Sequence, residues 1–103
     1  MASISYTFGQ GTLAAANVAQ QITSASVGMD FVLKNDDSSN AIYVGNSDAA
    51  TGSNSFKVEP LGAISLGSLD HNSGDAPLNP SDYYVVGAAS GYAYSFSFGR
   101  VNL

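Results

Sequence analysis

A single histidine, His71, stands between Asp70 and Asn72, with Asp75 four positions on. The chemistry of such a group would be proton transfer through an Asp–His pair, or metal binding. Zinc sites draw mainly on cysteine and histidine, and this chain has no cysteine and no second histidine. The favoured reading of His71 is a solvated side chain in a polar loop. Asn35, Asp36, Asp37 and Asn40, and again Asp70, Asn72 and Asp75, offer oxygen ligands of the kind calcium takes. Neither run matches the roughly 12-residue calcium loop with its closing glutamate, and Asx side chains capping their own turns account for both. Glu59, the sole glutamate, flanks a turn, and no aspartate sits in an apolar stretch that would raise its pKa, so no carboxylate pair for glycoside hydrolysis stands out. Serine is abundant, yet no Gly-x-Ser-x-Gly elbow occurs. Gly9-Gln10-Gly11 lacks the further glycine and the helix of a phosphate-binding turn. The expectation is a protein without catalytic residues, metal or cofactor, and not an enzyme.

The elements that would carry any site read as strands. Ile4, Tyr6 and Phe8 alternate with Ser3, Ser5 and Thr7, predicting an opening strand that stops at Gly9-Gln10-Gly11 and leads through a linker to residue 17. Val18, Gln20 and Ile22 alternate weakly. Met29, Phe31 and Leu33 alternate with Asp30, Val32 and Lys34, and the polar cluster 35–40 follows as a loop. Ile42 and Val44 predict one inward face, and Phe56 and Val58 another, with Lys57 and Glu59 outward. Glu59-Pro60-Leu61-Gly62 predicts a type I turn, after which Ile64 and Leu66 resume the inward face. Residues 67–82 carry no period and two prolines, predicting a long loop. Tyr83-Tyr84-Val85-Val86 is apolar on both faces, as in a strand covered on both sides. Tyr92, Tyr94, Phe96 and Phe98 form a closing aromatic row, read as core or subunit interface before sugar platform. Seven to eight short strands with turns too short for crossover helices predict a single all-β domain over 1–103, an antiparallel β-sandwich or jelly roll.

Composition narrows the partners. Hydrophobic residues make up 45% of the 103 and charged residues 11%, a balance that argues against disorder. Lys34, Lys57 and Arg100 are the only cations in a chain of net charge −5, too few to displace counterions from nucleic acid or to hold an anionic membrane. No apolar run approaches the roughly 18 residues that cross a bilayer, and no basic-then-apolar leader opens the chain.

Ile42-Tyr43-Val44-Gly45-Asn46-Ser47-Asp48, then Asn54 through Gly62, then Ile64-Ser65-Leu66, and later Tyr84-Val85-Val86-Gly87, resemble in order a hairpin pattern of small tailed-bacteriophage structural proteins. These are head decoration or cement proteins and terminal domains of head fibres. The match runs over residues 29–98, and departs from the pattern in having no acidic residue after Gly62 and a longer loop before Tyr83. The resemblance implies a virion component on the capsid exterior that clamps major capsid protein subunits, as a homo-oligomer with a trimer favoured. Ile4, Tyr6, Phe8, Tyr83, Val85, Tyr92 and Tyr94 are the candidate capsid or subunit contacts. The competing expectation is a carbohydrate- or host-receptor-binding module of a phage fibre, using the 69–82 loop and exposed tyrosines.

Overall fold

The computed structural model describes residues 3–25, 29–46, 55–67 and 79–102. The period-2 runs become strands: β1 (Ser3–Thr12), β2 (Gln20–Gln21), β3 (Met29–Asn35), β4 (Ile42–Gly45), β5 (Ser55–Val58), β6 (Ala63–Gly67), β7 (Tyr84–Val86) and β8 (Ala93–Asn102). They form two four-stranded antiparallel sheets, ordered β1-β8-β3-β6 and β2-β7-β4-β5. The ladders β1–β8, β2–β7, β3–β6 and β4–β5 are rungs of one long antiparallel ribbon, and β3–β8 and β4–β7 arise as it winds on itself. The antiparallel β-sandwich expected from the sequence is what the chain adopts.

The sheets close over Phe31 and Leu33 of β3, Tyr94 and Phe98 of β8, and Ile42, Val44, Val58 and Val85 opposite, all buried. Phe31 is the hub. Its ring meets Tyr83, Phe96 and Phe98 edge-on at 5.7, 6.3 and 6.2 Å, the geometry that sets a positive ring edge against a negative face.

Several expectations change in detail. β1 does not stop at the glycines but runs on to Thr12. Phe56, expected inward with Val58, is 71% exposed: it pairs with Val44 at the edge of its sheet, where no further strand covers it among the described residues. The turn at 59–62 has Leu61 at φ +60° with the Gly62 N–H donating to the Glu59 carbonyl, the geometry of type II rather than type I. Leu61 is held in this left-handed conformation by its N–H, which donates to the Asp37 carbonyl at 3.1 Å. The 67–82 stretch ends in a 3-10 turn, Pro80–Asp82; residues 68–78, with His71, Asp70, Asn72 and Asp75, lie outside the described residues.

The 35–40 cluster is more than a loop. Asn35 ends β3 fully buried, its Nδ2 donating to the carbonyls of Asn40, Val58 and Glu59 at 2.8, 3.1 and 3.3 Å while its Oδ1 accepts from the Asp37 N–H at 2.9 Å. One side chain thus ties the end of one sheet to the β4–β5 hairpin of the other. Asp37 Oδ1 in turn accepts from the Ser39 and Asn40 N–H groups, both at 2.8 Å, which is the turn-capping role read from the sequence.

Those backbone hydrogen bonds hold the Asp37 carboxyl below its ordinary value of 3.8. A carboxyl whose pKa falls on folding binds its proton more weakly in the native state. Its stabilisation is therefore present above the unfolded value and lost as pH falls through the folded one. The Asp37→Asn variant keeps an acceptor but not the charge, and is expected to show a shallower loss of stability below pH 3.8 in acid titrations of thermal unfolding.

Candidate functional site

The outward face of the β1-β8-β3-β6 sheet is built from alternate residues of each strand. In β1 these are Tyr6, Phe8, Gln10 and Thr12. The register makes the reason visible. Gly9 and Gly11 sit opposite Phe96 and Tyr94 on the inward face, and a Cβ added at either would lie 2.4 Å from Phe96 Cζ or 2.7 Å from Tyr94 Oη. Rings from β8 already fill the space under β1, so β1 has no room to bury aromatics of its own. Tyr6 and Phe8 take the other face and stand 51% and 78% exposed.

Phe8 borders a shallow groove of about 500 Å³ across this face. Its floor follows two rows of directly paired residues, Phe8–Ser97–Val32 and Gln10–Ser95–Lys34–Ala63. Small serines at the centre leave Phe8 and Val32 standing as apolar walls, and Lys34, paired with Asp36 at 3.5 Å, carries the charge at one end. The backbone beneath is regular on the β1 side, where the β1–β8 ladder holds ten consecutive pairs without a register shift. Such a face has shape, apolar area and little charge, the character of a protein-binding patch.

The sequence candidates separate accordingly. Tyr6 and Phe8 come together on this face, in the same strand as Ile4. Val85 and Tyr94 do not belong to any surface, being 0% and 3% exposed in the core between the sheets, so the subunit-contact reading of these two is corrected. Tyr83 and Tyr92 are half-buried and packed against the core; Tyr83 Oη donates to the Leu66 carbonyl at 3.3 Å, which fixes it inside. The closing aromatic row is core in the order anticipated, ahead of any sugar platform.

A second cleft, of about 460 Å³, lies between the sheet edges where Phe56 faces Ile64, Leu66 and Tyr83, with Asn46 and Ser55 on its rim. Reasoning from the sequence missed it, because it arises from an inward residue at a strand edge that the opposite sheet does not reach. Among the described residues no group of three or more His, Cys, Asp or Glu side chains could hold a metal ion. Comparison with protein-family models, with curated proteins and with solved structures returns no match for this chain.

Proposed function

We propose that this protein is a non-enzymatic decoration (cement) protein of a tailed-bacteriophage capsid, bound to the exterior of the assembled head, where it stabilises contacts between major capsid protein subunits. The reading is supported by the resemblance of the central hairpins to small phage structural proteins, and it is carried by one observation: Tyr6 and Phe8 exposed side by side on a regular, nearly uncharged sheet face. A protein that binds only the assembled shell stabilises that shell by mass action. Symmetry-repeated copies multiply a modest contact. The net charge of −5 opposes indiscriminate aggregation of copies that are not on a shell.

Empty heads, reconstituted and sedimented with the protein, test this. Replacing Tyr6 and Phe8 together by serine is expected to weaken binding about a hundredfold or more, since two rings buried on docking contribute about 3 kcal/mol or more. Thermal stability should barely change, because both rings are already in water. Deleting the first ten residues is the poorer test: it would unpair β8 along most of its length and so confuse folding with binding. Undiminished co-sedimentation of the double variant would overturn the reading.

One observation favours the carbohydrate- or host-receptor-binding alternative. The second cleft sets the exposed Phe56 ring beside the polar groups of Asn46 and Ser55, an aromatic-plus-amide arrangement suited to stacking a sugar ring. Glycan-array binding that disappears in Phe56→Ala, with no affinity for heads, would move the assignment there.

A further inference from the structure

The free edge of β1 carries more information than its side chains. The Leu13 N–H donates to the Tyr92 carbonyl, and the Asp36 N–H to the Ala93 carbonyl. Ladder hydrogen bonds alternate from residue to residue, so β8 turns the backbone of Tyr94, Phe96 and Phe98 towards β1 and that of Ala93 towards β3. On the β1 side the odd residues therefore bond β8, and Ile4, Tyr6, Phe8, Gln10 and Thr12 direct their N–H and C=O groups away from the sheet. At Thr12 that edge is closed: its carbonyl accepts from Gln20 Nε2 at 3.0 Å, while Gln20 Oε1 accepts from the Ala14 N–H at 2.9 Å. Among the described residues, what stays open is the outward-directed backbone of Ile4, Tyr6, Phe8 and Gln10.

Sheet edges are ordinarily blunted by shortness, charge, proline or a bulge. The other three edges follow that rule: β2 has two residues, β5 has four with Lys57 among them, and β6 has five beside a register shift in its ladder with β3. β1 has ten residues, no charge, no proline and no register shift. Charge does not oppose a like partner at this edge, since β1 itself has none and Lys34 of the same sheet is paired with Asp36. The strands of the β1 sheet hold Lys34, Arg100 and Asp30, a net charge of +1 in a chain of −5. Two copies meeting there avoid the acidic remainder.

We propose that two copies of this chain pair antiparallel through the free edge of β1, in the register that sets Thr7 opposite Thr7 of the second copy. The register follows from two conditions that agree. A continuous antiparallel sheet across a two-fold keeps each face on its own side, so even residues must meet even residues; and those same residues are the ones whose backbone groups point outward. Centring on Thr7 uses all of Ile4, Tyr6, Phe8 and Gln10, pairing Tyr6 with Phe8 of the second copy and Ile4 with Gln10. The result is a closed dimer with a continuous sheet β6-β3-β8-β1-β1-β8-β3-β6 and four aromatic rings across its centre. It closes at two copies, where the resemblance to phage proteins implies a trimer.

The test is made on the full chain without heads. Sedimentation equilibrium should give twice the 10.5 kDa of one chain. Phe8→Pro, which removes only an outward N–H from an edge strand, should give monomer. Because the natural chain has no cysteine, Thr7→Cys should become a disulfide-linked dimer on mild oxidation. Gln10→Cys should not, since its counterpart lies about 20 Å away in this register, beyond the reach of a disulfide. A monomer or trimer mass for the unaltered protein, or equal crosslinking of both cysteine variants, overturns the proposal; if Phe8→Pro fails to fold, the cysteine pair decides. The dimer stands apart from the capsid reading, since a dimer that ignores heads sinks only that reading, and a monomer that binds heads sinks only this one.

Discussion

Replacing Phe31 with alanine is expected to lower the unfolding free energy by about 3–5 kcal/mol, a large part of the roughly 5–15 kcal/mol that holds a domain together. The ring is fully buried and touches Tyr83, Phe96 and Phe98 at once. Its loss removes the transfer energy of a phenyl group and leaves a space that neighbours on two fixed ladders are poorly placed to fill. Phe96 and Phe98 are already stacked on each other with their planes 2° apart, and Tyr83 is tethered through its hydroxyl to Leu66. Urea unfolding followed by tyrosine fluorescence should show a lower midpoint at unchanged slope, and the melting temperature should fall by on the order of 20 °C. Phe8→Ala is the control. That ring is 78% exposed, so its removal should change stability by no more than about 0.5 kcal/mol. A Phe31→Ala variant as stable as Phe8→Ala would mean that the sheets do not close over β3 as described.

The contrast between those two phenylalanines marks what the sequence discloses and what it does not. Alternation in Met29–Asn35 and Ala93–Asn102 separates two faces, and the face richer in large apolar groups proved to be the core. In β1 the same rule would have put Tyr6 and Phe8 inside. It fails there because burial is a property of the space opposite, and Phe96 and Tyr94 already occupy that space over Gly9 and Gly11. The signal was present, though faint: two glycines of one parity on the serine and threonine face, with room for rings arriving from another strand. Phe56 was misjudged for a related reason, since its pairing with Val44 is as periodicity predicts but its strand lies at an edge. Leu61 shows the limit of turn chemistry, because a left-handed leucine is disfavoured locally and is held by a bond to Asp37 far away in sequence. The β1 edge could be read only once register and hydrogen-bond direction were both known.

Asn35 is the residue whose importance local sequence could least suggest, and replacing it with leucine, similar in size, is expected to cost about 3 kcal/mol. The loss would not come from packing. Leucine fills the space but cannot donate, leaving the buried Val58 carbonyl and the half-buried Asn40 carbonyl without this donor, while the Glu59 carbonyl keeps the Gly62 N–H; a buried group left without its partner costs about 1–3 kcal/mol. Asn35→Asp separates the electrostatic part. A carboxylate there would face three carbonyl oxygens, so folding would favour its protonated form and raise its pKa above the unfolded value. The native state would then bind the proton more tightly, and stability should rise as pH falls from neutrality towards the carboxyl range. That slope is opposite in sign to the one Asp37 contributes in the natural chain, where the carboxyl is held low by N–H donors. Thermal melts of Asn35→Leu and Asn35→Asp across that range would therefore show a flat difference for the first and a narrowing one for the second. Two parallel curves would mean that the junction between the sheets rests on side-chain volume, and that donation to the hairpin carbonyls contributes little.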